Sequence, residues 1–202
     1  MGVSPSNIII GGDSAGGNLA LQLTSQLLRP HPSLPSLHPP TRARTETDTD
    51  SESSPEFPGP FGGILLISPW TEFNVDAPSF ALNSARDVMP SSTYQIFSDA
   101  AREGITPELH NYLEPGIAPR EWWKGLRRVF PRVLITAGEY EGIIDQIQKI
   151  GEVIAEEVKD TTVFVLPGGI HEDFILSFAS EEGARGDDYK LVVSWLSAGF
   201  KL

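Results

Sequence analysis

Four short apolar runs punctuate the chain, and the stretches between them repeat apolar residues at helical spacing. Residues 7–12 (NIIIGG) hold Ile8, Ile9 and Ile10 in succession. An unalternating β-branched run predicts a strand buried on both faces, as in a parallel sheet. It stops at Gly11 and Gly12. In residues 15–28 the period lengthens: Leu19, Leu23 and Leu27 fall four apart, with Ala20 beside them, which predicts an amphipathic helix. Residues 63–68 (GILLIS) read as a second buried strand, closed by Pro69, and residues 132–136 as a third. Ile143, Ile147, Ile150 and Ile154 then mark one face of a helix, with Lys149, Glu152 and Glu156 mostly off it. Residues 161–166 (TTVFVL) make a fourth strand, turned by Pro167-Gly168-Gly169. A last helix, residues 187–197, offers Leu191, Val192, Trp195 and Leu196 to a core. Residues 71–112 look mainly helical, with mixed polarity and no strand.

Strands alternating with helices predict an α/β fold: a parallel sheet of about four strands flanked by helices. One segment interrupts it. Residues 30–60 are rich in Pro, Ser, Thr and Asp and almost lack large apolar side chains after Leu37. That composition predicts a disordered surface insertion within a single domain spanning residues 1–202.

Composition narrows the function classes. With 202 residues and 40% hydrophobic content the chain can bury a real core. A formal net charge of −12 leaves no basic stripe for nucleic acid and disfavours an anionic membrane surface. No run approaches the ~18 apolar residues of a membrane span, and the first residues, MGVSPSN, lack the features of a signal peptide. Cysteine is absent, which excludes disulfides and thiolate metal sites and fits a reducing, cytoplasmic setting.

The chemistry concentrates at Gly12-Asp13-Ser14-Ala15-Gly16, a G-x-S-x-G pattern at the junction of the first strand and helix. A serine on so sharp a turn lifts its hydroxyl above the sheet edge, and its neighbours two residues away must be tiny. The helix that follows aims N–H groups at the same place, and the Ala15 N–H is the expected oxyanion donor. A P-loop needs G-K-[ST], a dinucleotide fingerprint needs G-x-G-x-x-G, and neither spacing is present. A chymotrypsin-like protease carries its histidine before the serine, and none of the thirteen residues before Ser14 is His.

A nucleophilic serine needs a base, and among α/β-hydrolases the chain order is Ser, acid, His. Of the four histidines, His31 and His38 lie in the insertion, which cannot hold a base in place. His110 has no strand before it. His171 follows the fourth strand and its Gly-Gly turn, where a sheet delivers a catalytic loop. Candidate acids follow the third strand: Glu139, Glu141 and Asp145, with Glu141 at the right reach and Asp145 a helical turn deeper.

Four blocks together resemble the hormone-sensitive lipase group of α/β-hydrolases, its fungal esterases and lipases above all. SPSNIIIGGDSAGGNLAL is similar to that group's nucleophile block, GGILLISPWTEF to the strand after it, RVLITAGEYEGIID to its acid block and PGGIHEDF to its histidine block. The resemblance implies the α/β-hydrolase fold and a serine hydrolase cleaving carboxylic esters of short or medium acyl chains through an acyl-enzyme, with no metal or organic cofactor. It puts His171 on the catalytic base, Glu141 on the catalytic acid, in place of the commoner Asp, and Asp145 on a second carboxylate. The family's H-G-G oxyanion loop lies upstream of the nucleophile block and has no counterpart here. The chain is therefore expected to correspond to a C-terminal portion of the fold, with residues 7–12 at an unpaired edge. Trp70, Phe73 and residues 71–112 are candidates either for an acyl or alcohol pocket or for ordinary core. Trp122 and Trp123 are expected to pack. The alternative function is a non-catalytic remnant or binding module on the same scaffold; related receptors lack the histidine that this chain keeps.

Overall fold

The computed structural model describes residues 3–34, 37, 59–180 and 186–200. Its elements run β1 (Ile9–Asp13), α1 (Ala15–Leu28), β2 (Gly63–Ile67), α2 (Pro78–Asn83), α3 (Ser91–Arg102), α4 (His110–Leu113), α5 (Leu126–Val129), β3 (Arg132–Gly138), α6 (Ile144–Glu157), β4 (Asp160–Leu166), α7 (Asp173–Ala179) and α8 (Asp187–Gly199). The strands pair in parallel in the order β1-β2-β3-β4. This is the α/β architecture the pattern predicts, and parallel pairing puts the C-terminal ends of all four strands at one edge.

Strand periodicity sorts the core into two layers. Ile64 and Leu66 of β2 and Val133 and Ile135 of β3 face a large cluster with Leu21 of α1 and Ile147, Ile150 and Ile154 of α6. Leu65, Ile67 and Leu134 point the other way, against Val192 and Trp195 of α8. The central strands are thus buried on both faces, and each fully buried Leu or Ile contributes about 1.5–3 kcal/mol.

Two patterns fell differently. β1 is only half-buried, and Ile8 before it is exposed. Among the described residues β1 has a strand on one side only, the edge position expected for residues 7–12, so its isoleucine run does not reach the burial of a central strand. On α1 the buried positions are Gly17, Asn18, Ala20, Leu21, Thr24, Ser25, Gln26 and Leu27, with Leu23 packed against the core, while Leu19 is exposed. Ala20, Leu23 and Leu27 of the expected stripe thus meet the core and Leu19 does not, and small and polar residues widen the inward face.

Residues 71–77 are irregular, and helices begin only at Pro78. Trp70, Phe73 and Tyr94 are buried together, with Trp70 and Phe73 rings 4.3 Å apart, so these aromatics are core. Trp123 is fully buried, and Trp122 donates from Nε1 to Ser25 Oγ at 3.0 Å. Both tryptophans pack, as expected. At the start of the insertion the Arg29 guanidinium donates to the Glu121 carbonyl, and the His31 ring meets the edge of Tyr112 at 5.7 Å. Residues 38–58, with His38, lie outside the described residues.

Candidate active site

Ser14 joins β1 to α1 with φ 45° and ψ −114°. A positive φ at a non-glycine residue costs roughly 1–3 kcal/mol and persists only where its surroundings over-determine it. Here the Ser14 N–H donates to the Ile67 carbonyl at 2.9 Å, and the Ser14 carbonyl accepts from Trp70 N–H at 3.0 Å and Asn18 N–H at 3.1 Å. A Cβ at Gly12 would sit 2.2 Å from the Gly16 carbonyl oxygen, and one at Gly17 2.8 Å from Pro69 Cβ. At Gly16 it would meet only Asp13 Oδ1, at 3.5 Å. The crowding therefore falls on Gly12 and on Gly17, one residue beyond the five-residue pattern, and not on Gly16. Ala15 is the first residue of α1, whose opening N–H groups have no carbonyl partner within the helix.

His171 stands after β4 and the 167–169 turn. Its Nε2 lies 2.9 Å from Ser14 Oγ and its Nδ1 3.0 Å from Glu141 Oε2. Both side chains are sequestered, His171 at 4% exposure and Glu141 at 0%. A carboxylate only accepts, so Nδ1 carries the proton and donates to Glu141, which leaves Nε2 to accept from the Ser14 hydroxyl. The other Glu141 oxygen, Oε1, accepts from the Ser68 hydroxyl at 2.6 Å and from the Gly138 N–H. Burial disfavours the imidazolium, yet the hydrogen bond and charge of Glu141, with the charges of Glu172 and Asp87, outweigh it and hold the His171 pKa above its ordinary value. Burial raises the Glu172 carboxyl, the His171 charge opposes this, and Asp13 raises it further.

The acid and histidine loops are zipped together beyond the strand ends. Gly138 pairs with Leu166. Glu139 N–H then donates to the Leu166 carbonyl at 3.0 Å, and Tyr140 N–H to the Gly169 carbonyl at 2.8 Å. Asp145, in the first turn of α6, accepts the Ser79 N–H at 2.9 Å and so ties α2 to α6. Of the two carboxylates left open by the sequence, Glu141 is the one on His171. His110 begins α4 and His31 rests on Tyr112, both apart from this chain of bonds.

Two contributors had no sequence argument. Ser68 is buried with φ 46°; besides bonding Glu141 it accepts the Glu172 N–H at 3.2 Å. Its position just after β2, at the edge where the other loops collect, was the available signal. Asp87, in the loop between α2 and α3, accepts from His171 N–H at 3.0 Å and Gly142 N–H at 2.7 Å. Nothing in its local sequence points there. Among the described residues no three His, Asp or Glu side chains are grouped to hold a metal ion, and no helix is long and apolar enough to cross a membrane.

A strand-turn-helix serine bonded through histidine to a carboxylate, all at the C-terminal edge of a parallel sheet, is the arrangement expected of a G-x-S-x-G turn on the α/β-hydrolase fold. A family model described as alpha/beta hydrolase fold matches residues 1–175, and the chain belongs to that family. Among curated proteins it is similar to an esterase of Acinetobacter venetianus (strain RAG-1), 26% identical over 177 residues that cover 86% of this chain and 46% of that protein. It is also similar to Lipase 2 of Moraxella sp. (strain TA144), 29% identical over 102 residues, 50% of this chain and 23% of that one. The chain thus spans less than half the length of these curated relatives. Among solved structures, a hormone-sensitive lipase from a metagenome library superposes with TM-score 0.67 at 20% identity, over 97% of this chain and 55% of its own. Carboxyl esterase 2 of the mycorrhizal fungus Tuber melanosporum gives 0.60 at 21% identity, over 99% and 55%. At these identities the structural likeness speaks to the fold.

Proposed function

We propose that this chain carries the acyl-transfer centre of a carboxylic ester hydrolase, acting on small-molecule esters of short or medium acyl chains. The observation that supports it most is the unbroken line of hydrogen bonds from Ser14 Oγ through both His171 nitrogens to Glu141. His171 takes the Ser14 proton as Oγ attacks the ester carbonyl. Glu141 fixes the imidazole tautomer and stabilises its protonated form. The Ala15 N–H donates to the developing oxyanion. His171 then hands its proton to the departing alkoxide, leaving an acyl-Ser14 ester. Water, deprotonated by the same imidazole, releases the acid and restores Ser14. None of these steps calls on a metal or organic cofactor.

The test is hydrolysis of p-nitrophenyl esters of increasing acyl length by the wild type and by Ser14→Ala. The wild type is expected to prefer the shorter chains. The variant is expected to lose roughly a millionfold in kcat, the scale on which a triad serine acts. A Ser14→Ala protein that retains its activity overturns the assignment.

A further inference from the structure

The acid and the base sit on different loops, so something must hold the two loops at a fixed separation. The segment around α2 grips the acid turn at several points. Ser79 Oγ donates to the Gly142 carbonyl at 2.5 Å, Ser79 N–H to Asp145 Oδ2, and Asn83 Nδ2 to the Glu141 carbonyl at 2.9 Å. None of these bonds reaches the histidine loop. Asp87 reaches both loops. Its Oδ2 accepts the N–H of Gly142, the residue after Glu141, and its Oδ1 accepts the N–H of His171 itself.

The carboxylate is itself well anchored. Arg86 and Asp87 N–H groups both donate to the Asn83 carbonyl, at 2.8 and 2.9 Å, which closes the turn behind α2. Val88 N–H gives Oδ1 a second donor at 2.8 Å. Three main-chain donors thus converge on one half-buried carboxylate, and two of them belong to the residues that set the Glu141–His171 distance. A carboxylate suits this place because both oxygens only accept. An amide would turn an N–H₂ toward one of the donors.

Resting on the hydrolase reading above, we propose that Asp87 is a positioning residue: a carboxylate clamp that fixes the acid turn against the histidine loop and supports the imidazolium formed during acyl transfer. It acts through Glu141 and His171 and touches no reacting atom. A shift of about 1 Å at such a joint costs on the order of a hundredfold in rate.

The test compares Asp87→Asn, Asp87→Glu and Ser79→Ala with the wild type. Folding is checked by circular dichroism, and four readouts are taken: the rate of Ser14 phosphonylation by a fluorophosphonate, kcat and KM on p-nitrophenyl acetate, the pH profile of kcat/KM, and the downfield proton resonance of His171 Nδ1–H. Asp87→Asn is expected to slow phosphonylation and kcat about tenfold or more, to change KM less than about threefold, and to move the Nδ1–H resonance. Its acid limb should fall to lower pH, because among the groups around His171 (Glu141, Glu172, Asp87 and the Tyr94 ring) only the Asp87 charge is removed. Asp87→Glu keeps the charge on a longer arm, so the acid limb should stay while kcat falls. It carries the test alone if the amide variant does not fold. Ser79→Ala loosens the same turn without reaching His171, and its acid limb should not move. Wild-type rates and an unmoved resonance in folded Asp87→Asn overturn the clamp while Ser14 labelling stands. A wild type that is not labelled overturns the hydrolase reading and the clamp with it.

Discussion

The work of Glu141 is divided between its oxygens: Oε2 serves His171, while Oε1 is held by Ser68 and Gly138. Glu141→Gln must therefore turn an amide N–H₂ toward a donor on one side or the other, and a fall in kcat of about 10⁴ is expected. Asp145→Asn weakens only a bond to Ser79. It should lower stability by about 1 kcal/mol and leave kcat within about tenfold. A loss of activity mainly in Asp145→Asn would reassign the acid. The raised His171 pKa has a definite sign. In the proposed mechanism His171 acts as neutral imidazole, so kcat/KM should climb with pH through a midpoint above the ordinary ~6.5. Because the folded protein holds this proton more tightly than the unfolded chain, the associated stability is present below pH ~6.5 and fades as pH rises through the folded value. A pH–rate profile centred below 6.5 would mean that burial, not Glu141, dominates. Ser14, His171 and the Glu141/Asp145 alternative were legible in the sequence because each follows a strand in a fixed order. Ser68 also follows a strand, a signal left unused, whereas Asp87 was not legible because its contacts join loops from distant parts of the chain.

At the level of elements, the site depends on close backbone approach as much as on side chains. A Cβ at Gly138 would lie 2.5 Å from the carbonyl carbon of Gly169. Neither backbone can yield without separating the acid and histidine loops. Gly138→Ala is expected to cost about 1–3 kcal/mol in denaturant unfolding and to reduce activity as well. Unchanged stability would show that the two loops are not in fixed contact. The strands and long helices were readable because β2 and β3 carry short apolar runs and α6 an isoleucine stripe at helical spacing. The half-burial of β1 was not readable from its own isoleucine run, and the inward face of α1 was readable only in part. A strand's apolar run does not report how many neighbours it has, and the α1 interface uses Gly17, Thr24 and Ser25 where pattern reading looks for leucines.

For the molecule as a whole, parallel order does the collecting. Four strands ending at one edge deliver Ser14 after β1, Ser68 after β2, Glu141 after β3 and His171 after β4. Residues 157 apart in sequence, Ser14 and His171, thereby come within 2.9 Å. The chain spans 55% of the length of a metagenomic structural neighbour, and Ser14, Glu141 and His171 all lie within it. The most direct test of the account is to treat the folded protein with a fluorophosphonate and locate the adduct by peptide mass spectrometry. A single covalent adduct on Ser14, lost in His171→Ala, is expected. Folded protein that stays unlabelled, or carries the adduct on another residue, would contradict it and favour a binding module on the hydrolase scaffold.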